Sequence, residues 1–245
     1  MRLIEGGAVI SEVLRHPGAT HSVFDVLAAA VRVLAPGPRV ALLGFAAGGV
    51  VAPLRALGHR GRLEGVDLSR AGWSVFRRLC GRWAGPVVLH RAEAGQWLRR
   101  RRGRFDAIVE DLSVRGRAGT TKPQATVDDL PGLLAARLGP GGVAIVNLLP
   151  VPGWPRSKLE AAAGRAYRDV LVVQLESFEN RILIGARGGL PASRDVAREL
   201  RRTLRSIDSA LAHGLSVRGG RKNGRNPSSG GYHGEIRGPA SGLGE

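Results

Sequence analysis

Short apolar runs at 39–43, 63–66, 87–89, 107–109 and 143–148 alternate with segments that can form helices. This alternation constrains the chain more than any other feature: strands joined through helices need right-handed crossovers, and these build a parallel, doubly wound α/β sheet. The composition agrees, because 43% of residues are apolar but only 4% are aromatic. The core must therefore be assembled from Val, Leu, Ile and Ala, as buried parallel strands and their covering helices usually are. A length of 245 residues suits one such domain with a tail.

The unit from Arg39 to Leu57 reads as strand, turn, helix: RVALL, then GFAAGG, then Val50 onward. The series closes differently, with Val170–Leu175 and Arg181–Ala186 as two β-rich runs joined by the polar ESFEN. An antiparallel hairpin is expected there. A mostly parallel sheet that ends on such a hairpin resembles the class I S-adenosylmethionine-dependent methyltransferase fold, a Rossmann-like fold, whereas a plain dinucleotide-binding domain would end on another parallel strand.

Residues 1–20 read as a short amino-terminal β-hairpin around Gly6-Gly7. The main domain is expected over 21–189, opening with a helix from Ser22 to Leu34 whose apolar positions recur at three- and four-residue steps. An Arg-rich helix follows in 190–213, with Val196, Leu200, Leu204, Ile207 and Leu211 on one face, read as a lid or an edge. In 214–245 ten residues are Gly and apolar residues are scattered, so a disordered tail is expected.

The formal net charge of +17 predicts non-specific attraction to polyanions, including nucleic acid. Only Lys122, Lys158 and Lys222 are lysines, so the skew to Arg also reflects overall composition. No run reaches the roughly 20 apolar residues of a membrane-spanning helix and the start lacks a secretory stretch, so a cytoplasmic protein without a membrane partner is expected. Cys80 is alone, which excludes a disulfide framework. No His forms a metal spacing with it and no G-x-S-x-G elbow occurs, so metal and serine-hydrolase readings fail. The densest basic run, Arg99–Arg102 with Arg104, is either a solvated helix end or a phosphate contact.

Four features carry chemistry. In GFAAGG, Gly44, Ala46 and Gly48 hold the small positions of a G-x-G-x-G nucleotide loop, where small residues allow a ligand close to the backbone. Asp67 stands 23 residues after Gly44 at the end of LEGVD, near the ~20 expected of an acid that accepts ribose hydroxyls. Glu93, beyond the third strand, is either an adenine neighbour or an ordinary loop acid. Asp111 follows an apolar run at the carboxyl end of a central strand, where open α/β sheets place their crevices, and Glu110 should face the opposite side. The polar stretch after it, SVRGRAGTTKPQATVDD, is long enough to close over a substrate.

In order, ISEVL, PGPRVALLGFAAGGVVAPL, LEGVDLS, AEAGQWL, RFDAIVEDLS and LGPGGVAIVNL resemble the spermidine synthases (polyamine aminopropyltransferases) and their relatives. The resemblance spans about Val9 to Gly188. It implies that Gly44 to Gly49, with Gly48 and Gly49, cradle the methionine-derived part of the donor, that Asp67 holds ribose, that Glu93 and Ala94 meet adenine, and that Asp111 deprotonates the attacking amine. The donor implied is S-adenosylmethionine or its decarboxylated form, with no metal. Three positions differ from that family: its loop acid is Ala47 here, the second acid of its strand end is Val114, and the Tyr two residues before its Glu is Ile10, ahead of Glu12.

The expected function is a spermidine-synthase-like transferase that moves an aminopropyl or methyl group to a small-molecule amine or other nucleophile. Alternatives are an ordinary S-adenosylmethionine-dependent methyltransferase acting on a small molecule or nucleic acid, and a catalytically silent nucleotide- or polyanion-binding member of the fold. A homodimer stays open.

Overall fold

A computed structural model describes residues 1–5, 8–116 and 119–220. Its centre is an eight-stranded sheet. In chain order the strands are β1 (Arg2–Glu5), β2 (Ala8–Glu12), β3 (Val40–Leu43), β4 (Leu63–Asp67), β5 (Val87–Arg91), β6 (Phe105–Glu110), β7 (Val114–Gly116), β8 (Gly119–Thr121), β9 (Leu138–Leu148), β10 (Asp169–Leu175), β11 (Phe178–Ala186) and β12 (Leu215–Gly219). The helices are α1 (Val23–Leu34), α2 (Val51–Ala56), α3 (Ala71–Cys80), α4 (Ala94–Arg100), α5 (Leu130–Arg137), α6 (Arg156–Gly164) and α7 (Ser193–Arg205).

The sheet order is β12-β10-β11-β9-β6-β3-β4-β5. The five strands from β9 to β5 run parallel, and β11, β10 and β12 pair antiparallel beyond them. After β3 the chain winds outward through β4 to β5, then returns to the other side of β3 as β6. This reversal leaves a crevice at the carboxyl ends of β3 and β6. One face of the sheet is covered by α1, α2, α3 and α7, whose buried residues include Val26, Leu27, Leu54, Phe76 and Leu200. The other is covered by α4, α5 and α6 through Trp97, Leu98, Leu130, Leu134 and Leu159. Strands apolar on both faces can only sit between two helical layers.

The hairpin β10–β11 forms, but its turn is tighter than ESFEN suggests. Phe178 pairs with Leu175, so only Glu176 and Ser177 lie between the strands and Asn180 belongs to β11. At the start, β1 and β2 pair with Ile4 opposite Val9; the Gly6-Gly7 turn lies outside the described residues.

The carboxy-terminal expectations need correction. Helix α7 is no lid: Val196, Leu200 and Leu204 are fully buried, and the helix packs on α1 and on β12, the edge strand of the sheet. Ser209 Oγ then donates to Asp25 Oδ2 of α1 at 2.7 Å inside the protein. The expected disordered tail does not begin at 214, because β12 pairs with β10 from Leu215 to Gly219. An exposed strand edge offers a row of unpaired backbone groups, and that demand outweighs the Gly content of the segment. Residues 221–245 of the expected tail lie outside the described residues.

Candidate functional site

The turn after β3 is built by close backbone approach. Gly44 and Phe45 both donate their N–H to the Val66 carbonyl, at 2.9 and 3.1 Å. Gly44 has φ +83°, and a Cβ there would stand 2.5 Å from the Asp111 carbonyl oxygen. Only glycine fits, so the turn touches the end of β6. Gly48, at φ +75°, is held the same way by the rings of Phe45 and Phe76. Phe45 is buried, edge-on to Phe76 and Trp73, so an aromatic cluster supports the turn from below.

Asp67 joins this turn. Its Oδ2 accepts the Ala46 N–H at 2.7 Å and its Oδ1 accepts the Ser69 N–H at 2.8 Å. Each oxygen retains a lone pair, and the residue stays partly open to solvent. Beside it Leu68 is 69% exposed, an uncovered apolar side chain at a sheet's carboxyl edge. Glu93 is occupied elsewhere, because its carboxylate caps α4, accepting the N–H groups of Gly95 at 2.7 Å and Gln96 at 2.6 Å. The Glu93 carboxylate thus caps its own helix, each oxygen keeping a lone pair, and Ala94 beside it is buried.

Asp111 faces the turn from the end of β6. Its N–H donates to the Leu43 carbonyl at 2.8 Å. Its Oδ1 accepts from Asn147 Nδ2 at 2.6 Å, and Asn147 Oδ1 accepts in turn from Asn180 Nδ2 at 3.0 Å. A polar row therefore crosses three neighbouring strands, β6, β9 and β11, at their ends. Burial pushes the Asp111 carboxyl up to about 6, opposed by Lys122 and the Asn147 hydrogen bond and helped by Glu110. A carboxylate so placed is ionised at neutral pH yet close enough to its midpoint to take and release a proton.

Gly44, Ala46, Gly48, Gly49, Asp67 and Asp111 thus converge, while Glu93 and Ala94 sit one strand away and turn inward. A small cleft of about 10 Å³ lies among Ile10, Ser11, Gly44, Gly48, Gly49 and Asp111. That is room for about one water. Ser11 Oγ there is buried without a hydrogen-bond partner. Two larger clefts, about 560 and 690 Å³, lie at the β10–β12 edge and between α1 and α7, away from Asp111.

Sequence reasoning missed Asn147, Asn180, Lys122 and Leu68. Asn147 had a signal, as the single polar residue in AIVNLL; Asn180 was hidden inside an apparent turn. Glu110 does face the opposite side of the sheet, fully buried against Lys122. The basic run is mostly engaged: Arg99 pairs with Asp129, Arg101 pairs with Glu64 and stacks on Trp97, and Arg104 donates to the Leu138 carbonyl. Burial raises the Cys80 thiol to about 11. Among the described residues, no group of His, Cys, Asp and Glu could hold a metal, and no helix is long and apolar enough to cross a membrane.

No protein-family model matches the chain, and no curated protein matches it. Solved structures do. Human methyltransferase-like protein 13 in complex with SAH superposes with a TM-score of 0.61 at 19% identity, over 76% of this chain and 91% of that one. The spermidine synthase from Thermotoga maritima superposes with a TM-score of 0.56 at 13% identity, over 78% of this chain and 66% of that one. A spermidine synthase in complex with the transition-state analogue AdoDATO gives 0.55 at 13% identity, with the same coverage. The likeness is one of fold, the class I methyltransferase fold, with the antiparallel hairpin at the end of its sheet.

Proposed function

We propose that this chain is a transferase that uses S-adenosylmethionine, or a sulfonium compound of the same class, to alkylate a small nucleophile held at Asp111. The observation that carries this reading is the meeting of the Gly44 turn, Asp67 and Asp111 at the sheet's crevice. Neighbours of the same fold whose structures hold SAH and AdoDATO support it.

The residues present fit such a donor. Asp67 can accept two ribose hydroxyls while keeping its bonds to Ala46 and Ser69. Leu68 offers an uncovered apolar surface to a base. The turn leaves its small residues facing the cleft, and Ser11 Oγ lacks a partner on the other side. The donor supplies a carbon bonded to a positively charged sulfur. Attack by the nucleophile's lone pair forms the new bond, the carbon–sulfur pair remains on sulfur as a neutral thioether, and the nucleophile's proton passes to Asp111. Asn147 fixes the carboxylate for that transfer, and alignment of the two reactants supplies much of the rate.

Donor and acceptor choice follow from the missing acids. Ala47 is buried and apolar where a carboxylate would meet an aminopropyl ammonium, and Val114 replaces a second acid. Glu110, the acid beside Asp111 in the chain, is locked to Lys122 on the opposite face. Loss of one charge-assisted hydrogen bond, about 1.5–3 kcal/mol, disfavours the decarboxylated donor by about ten- to a hundredfold. Methyl transfer from S-adenosylmethionine is therefore favoured over aminopropyl transfer to a diamine. Calorimetry with S-adenosylmethionine, its decarboxylated form and methylthioadenosine tests this. The expected order places S-adenosylmethionine first; equal or tighter binding of the decarboxylated form, with spermidine made from putrescine, would restore the aminopropyl reading.

A further inference from the structure

The buried pair beneath the crevice takes no part in the chemistry above. Lys122 Nζ lies 2.8 Å from Glu110 Oε1, with side-chain exposures of 1% and 0%. A buried ion pair is costly to desolvate, and apolar residues of similar volume often serve a core as well or better. This pair is also poorly optimised as an ion pair, because Glu110 Oε2 is buried with no partner. What the pair does make is a set of contacts to a single peptide segment. Glu110 Oε1 also accepts the Leu112 N–H at 2.8 Å, and Lys122 Nζ also donates to the Leu112 carbonyl at 2.7 Å.

Leu112 directly follows Asp111, whose own N–H is held by Leu43. Three of the four backbone polar groups from the Asp111 N–H to the Leu112 carbonyl are thus held, by Leu43, Glu110 and Lys122. Lys122 itself closes the β7–β8 hairpin, being the residue after Thr121. The clamp therefore ties both ends of 112–122 to the floor of the crevice. Among the groups facing Asp111, Lys122 and Glu110 act from this side and Asn147 from its own strand layer.

We propose that Lys122 is a positioning residue: with Glu110 it clamps the Leu112 peptide, holding Asp111 in the crevice and seating the β7–β8 hairpin beside it. This rests on the reading of Asp111 as the group that faces the acceptor. Because Lys122→Met alone leaves a bare buried carboxylate and is at risk of not folding, the test uses the double variant Glu110→Gln, Lys122→Met as well. Amide hydrogen exchange, a carbon-13 titration of the Asp111 carboxyl and the affinity for S-adenosylhomocysteine are compared with the wild type.

In the double variant, exchange over 112–121 should accelerate at least tenfold while β3, β4 and β9 keep their protection. The Asp111 midpoint should fall below about 6 even though the variant also removes the Lys122 charge, which holds it down more than Glu110 raises it, because a loosened Asp111 regains water and burial is the largest cause of the rise. S-adenosylhomocysteine should bind at least tenfold more weakly. Wild-type exchange over 112–121, or an Asp111 midpoint at or above about 6, as loss of the Lys122 charge without regained water would leave it, would overturn the clamp and leave the pair as ordinary core. If the wild type itself fails to bind S-adenosylhomocysteine, the proposed function falls, while the exchange and titration still decide whether the clamp exists.

Discussion

Replacing Asp111 with Asn should make the protein more stable at neutral pH while abolishing transfer. The carboxyl of Asp111 titrates at about 6 in the folded chain, because burial disfavours its charged form. In the unfolded chain it titrates near an ordinary ~3.9. At a pH below both values the group is protonated in either state and contributes nothing to the difference. Between them the folded state binds the extra proton, so stability falls as pH rises, and above about 6 the full penalty is present. At 1.36 kcal/mol per pH unit the gap is worth about 3 kcal/mol, an upper figure because the side chain is partly open to solvent. Asn cannot ionise, and its amide oxygen still accepts the Asn147 bond. Urea denaturation of both proteins across pH 4.5 to 7.5 reads the difference, in which every other carboxylate cancels. Because pH 4.5 already lies above the unfolded value, part of the gap is present at the acid end, and the advantage of the Asn variant should widen by about 1–2 kcal/mol towards the neutral end. A gap that does not change with pH, or a variant less stable at pH 7.5, would refute the reasoning.

Asp67→Ala should weaken S-adenosylhomocysteine binding at least tenfold by calorimetry, since it removes both the ribose acceptor and the bond that holds Ala46; unchanged affinity would remove the ribose assignment. A chain ended at Gly214 should melt well below one ended at Gly220, because only the shorter one lacks β12 and the buried Leu215. Equal melting points would show that the strand contributes nothing to the fold.

The alternation of short apolar runs specified the sheet, because strands buried on both faces leave a continuous apolar trace that few other structures produce. Gly44 and Asp67 were legible for a related reason. Their meeting at one turn depends on backbone approach and on spacing along one crossover, both of which are local in sequence. Asn147 and Asn180 were not, because the row they form with Asp111 depends on the lateral register of β6, β9 and β11, which spacing along the chain does not reveal. The capping role of Glu93 was hidden for the opposite reason: an acid just before a helix satisfies that helix's own N–H groups, and capping looks in sequence like a ligand contact. β12 was hidden by its composition. Gly214, Gly219 and Gly220 read as loop, while the decisive factor was the open edge of β10, far back along the chain.

That edge also sets an order of events during synthesis. β10 is made long before residues 215–219, and until they emerge it carries a row of open N–H and C=O groups on a nearly finished sheet. The Asp25 carboxylate on the first helix waits equally for Ser209. A nascent chain halted between 190 and 214 would thus hold a formed crevice beside an adhesive border, and its fate would be pairing with another such chain before unfolding.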